Sequence, residues 1–335
     1  MKRVLIVLGV LFLLLVIIYS IGPRPDFEPL DPTPLALDLT IDGIEQYVIE
    51  RDAKITDLKA GNETKLHWYD TDSKEKTEYV VLYLHGFSAS GEEGSEIHKN
   101  YARAIGANLY IPRLIDSGRK SKDTFKGLTP KKMLDSAREA IAVAKLLGEK
   151  VIIVSCSTGG TYGAYLGGYD DAIVAQIMLS PNIDLYDTTS ELVIMPWGRE
   201  LLNIIQGSEY HKVPHYTDEQ KKYWNEIYHN DGIVALKGLL DKAMKAEHFE
   251  KIDHPVMLMV YNKNEEEQDR VISIDRMRDF YNEISTPEAQ KRFVDCAICQ
   301  NHVIGNKTFN SNTDYVLEQV MEFSKDVLNI GLKPI

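Results

Sequence analysis

Val151-Ile-Ile-Val-Ser155-Cys156-Ser157-Thr158-Gly159-Gly160 decides how the rest of the chain is read. Four large apolar residues run directly into a cluster of small ones, and a helical pattern follows. A strand that breaks so abruptly into a helix makes a tight, strained turn, and a side chain at its apex stands exposed at the end of the sheet. The residues two before and two after the apex pack against each other and must be small. Ser157 satisfies this with Ser155 and Gly159. With Ser155 at the apex, Ile153 would occupy a flanking position, and with Cys156 there, Val154 would. Ser157 is therefore the candidate nucleophile. Serine rather than glycine at 155 is a mild departure from the usual pattern.

A nucleophilic serine needs two N–H groups aimed at the charge that develops on its substrate. Thr158, first in the following helix, offers one, reinforced by the helix dipole. Tyr83-Leu84-His85-Gly86-Phe87 ends an earlier apolar strand and offers the second at Phe87. His85 stands too early in the chain for the base and is expected to be a structural hydrogen-bonding residue. Of nine histidines only His302 lies beyond residue 254. In the chain order nucleophile, acid, base it is the base candidate, just past a β-rich stretch at 292–298. Asp269, in Asp269-Arg270-Val271-Ile272-Ser273 after the apolar run at 256–261, is the acid candidate, with Asp184 as its rival. Glu265, Glu266 and Glu267 read as solvated loop charges.

Apolar runs at 79–84, 108–111, 151–154, 173–179 and 256–261 alternate with helical patterns. Thr129 caps a helix with Pro130 at its first position. Thr217 and Gln220 form a capping box, and Asn312 or Thr313 starts the last helix. Continuous apolar strands separated by helices predict an α/β fold, a mostly parallel sheet with helices on both faces. The core is expected over 37–181 and 255–335. Residues 182–254 exceed what a strand-to-strand crossover needs and are expected to form a helical cap insertion. Its Tyr186, Trp197, Tyr210, Tyr216, Tyr223, Trp224 and Tyr228 are read mostly as the insertion's own core.

Lys2 and Arg3 precede an apolar run from Val4 to Ile18 that reaches Ile21. As a helix it would extend roughly 27 Å, close to the hydrocarbon thickness of a bilayer. Residues 1–21 are read as a transmembrane anchor, with a cleaved signal peptide as the alternative. Pro23 right after the small residues disfavours cleavage. The positive residues stay on the cytoplasmic side and place the rest outside, in the periplasm if the source is bacterial. Pro23, Pro25, Pro29, Pro32 and Pro34 make 22–36 an extended spacer.

The formal net charge is −12 over 335 residues, with no basic block, which argues against nucleic acid as a partner. Three cysteines are too few for a disulfide framework. Cys296 and Cys299 form a lone C-x-x-C, open to a local disulfide, a metal pair or two small core residues. The last is favoured, because a structural zinc needs four ligands. No metal or organic cofactor is expected.

Leu84-His85-Gly86-Phe87, Ser155-Cys156-Ser157-Thr158-Gly159-Gly160, Asp269-Arg270-Val271 and Asn301-His302-Val303 together resemble the α/β-hydrolase superfamily, and within it the bacterial carboxylesterase and monoacylglycerol-lipase-like group. The resemblance covers about residues 75–328. It implies a Ser157–His302–Asp269 triad, an oxyanion hole at Phe87 and Thr158, a small-molecule or lipid ester as substrate, and a cap that selects it. Where that group often carries Gly-His-Gly, this chain reads Leu114-Ile115-Asp116-Ser117-Gly118. A peptidase or acyltransferase would use the same triad. A non-catalytic binding protein of the same fold and a metal or redox site at Cys296, Cys299 and His302 are the other readings.

Overall fold

The structure, a computed structural model, describes residues 2–333. Nine strands span Lys65–His67 (β1), Thr77–Leu84 (β2), Asn108–Ile111 (β3), Gly148–Cys156 (β4), Ile173–Leu179 (β5), Tyr210–Lys212 (β6), Ile227–His229 (β7), Val256–Val260 (β8) and Lys291–Asp295 (β9). The helices are Lys2–Ser20 (α1), Ile44–Ala53 (α2), Ser95–Ile105 (α3), Pro130–Leu147 (α4), Thr158–Leu166 (α5), Gly198–Gln206 (α6), Asp218–Tyr223 (α7), Asp231–Ala243 (α8), Ala246–Phe249 (α9), Ile274–Glu283 (α10) and Thr313–Asp326 (α11).

Seven strands form one sheet in the order β1-β3-β2-β4-β5-β8-β9. Only the β1–β3 pairing is antiparallel; the others are parallel. Alternate residues of each strand enter opposite layers, as the two-residue period requires. Leu82, Leu84, Val151, Ile153, Met178 and Leu258 pack on the face covered by α4, α5, α8 and α10. Val81, Tyr83, Ile152, Val154, Ile177 and Met257 pack on the face covered by α3 and α11. Burial on both faces explains why these strands read as unbroken apolar runs. The chain passes from β2 outward to β3 and returns to β4 on the other side of β2. Such a reversal opens a crevice beyond the carboxyl ends of the strands, and there the loops after β2 and β4 meet.

Besides its helices, the insertion carries the antiparallel β6–β7 pair. Three expectations need correction. The second half of the insertion is not a cap, since Leu239, Leu240 and Ala243 of α8 and Phe249 of α9 join the main core. And 22–36, though extended, is no free spacer. Leu30 packs against the core, its carbonyl accepts a hydrogen bond from Tyr165 Oη at 3.3 Å, and Arg138 grips Asp31 and the Thr33 carbonyl. The β-rich stretch at 292–298 is strand only to Asp295, where the Cys296–Cys299 turn begins.

Candidate active site

Ser157 sits between β4 and α5 with φ 51° and ψ −119°, a conformation that costs a non-glycine residue about 1–3 kcal/mol and persists only where the surroundings impose it. Its N–H donates to the Leu179 carbonyl, and its own carbonyl accepts from Gly160 and Asn182. The flanking residues are as tight as the sequence requires. A β-carbon on Gly159 would lie 1.9 Å from the Leu84 carbonyl oxygen, and Ser155 is fully buried. Ser157 is 8% exposed, and its hydroxyl has no hydrogen-bond partner among the described residues.

The loop after β2 crosses directly over this turn. A β-carbon on Gly86 would lie 3.0 Å from Ser157 Cβ, so only glycine lets the two strand ends approach. Among the described residues the N–H groups of Phe87 and Thr158 donate to no backbone carbonyl. His85 is structural, as expected: Nε2 accepts from the Leu114 N–H at 3.2 Å and Nδ1 donates to the Gly86 carbonyl at 2.9 Å. Burial pushes its pKa down to about 4, which keeps it neutral.

Asp269 follows β8 and is buried. Its Oδ1 accepts the N–H of Val271 at 2.8 Å and of Ile272 at 3.4 Å. That aims Oδ2 at His302, whose Nδ1 donates to it at 2.6 Å. This bond selects the His302 tautomer with Nε2 free as a base. Burial lowers the His302 pKa, but the charge and hydrogen bond of Asp269, aided by Glu93, outweigh it and leave the pKa above the ordinary value. Asp184, the rival acid, is engaged elsewhere, accepting from Lys237 Nζ at 2.8 Å.

Glu93 was not singled out from the sequence. It lies buried beneath the loop, accepting the Gly86 N–H at 2.7 Å and the Tyr83 hydroxyl at 3.1 Å. It faces the Cys156 thiol and the His302 ring, and burial pushes its pKa up to about 7. Glu93 and Gly86 thus link the Ser157 turn to the imidazole. Nothing in Gly91-Glu92-Glu93-Gly94 distinguishes Glu93 from Glu92, which pairs with Lys65 and Lys99 nearer the surface.

Cys296 and Cys299 form a disulfide, so neither offers a thiolate to a metal, and the reading of two unlinked core residues is corrected. The cap reaches the site through Phe87, which stacks on Phe125 at 4.6 Å between centroids and meets Tyr228 edge-on at 5.4 Å. Trp224 and Tyr228 are buried, but against residues outside the insertion, Trp224 with Ala89, Val303 and Phe309 and Tyr228 with Phe87 and Phe125, so the reading of them as the insertion's own core is corrected. Tyr186 is exposed. A surface cleft between His67, Lys99, Arg103 and Leu109 lies away from Ser157, Asp269 and His302.

The sequence matches no protein-family model and no curated protein. Solved structures do match the fold. One belongs to the work on LipS and LipT, two metagenome-derived lipolytic enzymes; it is 15% identical, covers 79% of this chain and 98% of its own, and has a TM-score of 0.63. Est1E from Butyrivibrio proteoclasticus with ferulic acid bound is 16% identical, with coverages of 80% and 95% and a TM-score of 0.52. A soluble variant of the monoglyceride lipase from Saccharomyces cerevisiae is 14% identical, with coverages of 80% and 92% and a TM-score of 0.53. With the sheet order and crossovers described above, these define the chain as an α/β-hydrolase fold. Likeness at this level carries fold and not chemistry.

Proposed function

We propose that the chain is a membrane-anchored serine hydrolase that cleaves carboxylic esters. The 2.6 Å bond from His302 Nδ1 to a carboxylate itself fixed by two backbone N–H groups is the observation that carries this reading, joined to a serine held on a strained turn. Ser157 Oγ attacks the ester carbonyl while His302 Nε2 takes its proton. The Phe87 and Thr158 N–H groups receive the oxyanion. As the tetrahedral species collapses, imidazolium returns the proton to the departing alcohol. Water, deprotonated by His302, then attacks the acyl-enzyme, releases the acid and restores the serine. Apo sites commonly hold nucleophile and base looser than hydrogen-bond distance and tighten on binding, which accommodates the unpartnered Ser157 hydroxyl.

The motif set and the lipolytic character of some fold neighbours favour the carboxylesterase and monoacylglycerol-lipase-like group. The exposed apolar helix α1, the basic residues ahead of it and the Cys296–Cys299 disulfide favour a catalytic domain on the oxidising, non-cytoplasmic side. A fluorophosphonate probe should label the protein, and Ser157→Ala should abolish labelling. Short p-nitrophenyl esters should turn over well above peptide p-nitroanilides. Absence of labelling in folded protein would refute the proposal.

A further inference from the structure

The chain turns back onto the cap as soon as α1 ends. Trp197 donates its indole N–H to the Ile18 carbonyl at 2.9 Å and its backbone N–H to the Pro23 carbonyl at 2.9 Å. Gly22 lies so close to the ring that a β-carbon there would be 2.1 Å from its nitrogen. The linker then stays on the domain, with Phe27 against Gly238. Nothing here holds the domain away from the end of the span: the cap sits at it.

Helix α6 starts at the next residue, Gly198-Arg-Glu-Leu-Leu-Asn-Ile-Ile-Gln206. Its polarity is reversed for a surface helix of a soluble domain, which would turn its apolar stripe inward. Leu201, Ile204 and Ile205, at i, i+3 and i+4, are 47%, 73% and 82% exposed, while Asn203 and Gln206 are half-buried. Leu192, on the turn before α6, adds another exposed apolar side chain. A patch of this kind beside a polar surface marks a docking site.

We propose that the outward face of α6 lies in the interfacial layer of the same bilayer that α1 crosses, with lipid headgroups and upper acyl chains as its occupant. Continuity supports this choice: the indole that opens α6 is bonded to the last turn of the span, so a membrane around α1 meets α6 without any further movement. An amphipathic helix lying in the plane of the interface buries such a stripe by several ångströms. A tryptophan at the junction suits the headgroup level, where its ring and N–H are both accommodated. The proposal rests on the reading of α1 as an uncleaved span.

The test uses the full chain in phosphatidylcholine–phosphatidylglycerol vesicles. Cys156 is buried and the other two cysteines are paired, so one introduced cysteine can be labelled. An NBD probe on Ile205→Cys should emit to the blue of the same probe on Glu322→Cys of α11. Lipids spin-labelled high on the acyl chain should quench it about twofold or more and leave the α11 probe unaffected. A water-like, unquenched probe at 205 in protein that resists carbonate extraction would overturn this proposal alone. A blue shift without quenching, the sign of a second protein copy on the face, would also overturn it. Release by carbonate would remove the anchor reading, and the proposal with it.

Discussion

The Glu93 carboxylate accepts the N–H of Gly86 at 2.7 Å, one residue ahead of the N–H proposed to receive the oxyanion. A buried acid thus fixes the plane of the loop that must point Phe87 at the substrate. The same carboxyl faces Tyr83, Cys156 and His302, and its charge helps to raise the imidazole. Glu93→Gln keeps the size and one acceptor but loses the charge. It should lower kcat more than it raises KM and move the acid limb of kcat/KM to lower pH. A residue that only filled space would leave that limb where it was.

Glu93 also makes stability depend on pH. Its folded pKa, about 7, lies above the ordinary 4.5, so the native state favours the protonated form. The contribution is whole below 4.5 and is lost as pH rises through 7. The shift corresponds to about 3 kcal/mol. Thermal unfolding of the wild type should weaken across pH 5–8, and Glu93→Gln should flatten that slope. His302, also raised and in part by Glu93, loses its contribution in the same direction, so the difference between the two proteins reads Glu93 together with the part of the His302 shift that it causes.

As base, His302 must be neutral, and its pKa is raised chiefly by Asp269 against the effect of burial. Ester hydrolysis should therefore fall off on the acid side at a pH above 6.5. In Asp269→Asn the limb should move down, and kcat should drop on the order of 10⁴-fold, the cost of losing the orienting carboxylate in such triads. A pH–rate profile of the two proteins measures both effects.

Two glycines should respond very differently to an added methyl. At Gly159 the β-carbon meets the Leu84 backbone at 1.9 Å, so one of two central strand ends must move. Gly159→Ala should cost about 3 kcal/mol and lose fluorophosphonate labelling. Gly127, at φ +69° with nothing within 4 Å, carries conformational strain alone. Gly127→Ala should cost about 1 kcal/mol and label normally. Denaturant unfolding distinguishes the two.

The central strands and the Ser157 turn were legible because burial on both faces and a steric limit on neighbours each leave a local mark in sequence. Chain order pointed to His302, and the apolar strand ahead of Asp269 pointed to that residue over Asp184; the two side chains meet at 2.6 Å. What could not be read lacks such a mark. Lys65–His67 and the β6–β7 pair are three-residue strands, too short for any period to show. Glu93 is set apart from Glu92 only by where a loop folds. The stripe of Leu201, Ile204 and Ile205 is plain in the sequence, but periodicity says which residues share a face and never whether that face turns inward.

The Cys296–Cys299 disulfide closes the turn between β9 and His302. Both cysteines are buried, and the Cys296 N–H donates to the Val260 carbonyl at 2.8 Å, tying the start of the base-bearing loop to the end of β8, the strand that the acid-bearing loop follows. A loop this short constrains the unfolded chain by about 2 kcal/mol. Cys296→Ala/Cys299→Ala should lower the unfolding free energy by about that amount. Because this turn sets the start of the loop that carries His302 to Asp269, the loss should appear in kcat with little change in KM. Reduction of the wild type with a permeant thiol should reproduce the effect in part, whereas a chelator should leave turnover unchanged. Full activity in the double alanine variant would show that Asp269 alone suffices to place His302, and a loss on chelation would instead implicate a bound metal ion.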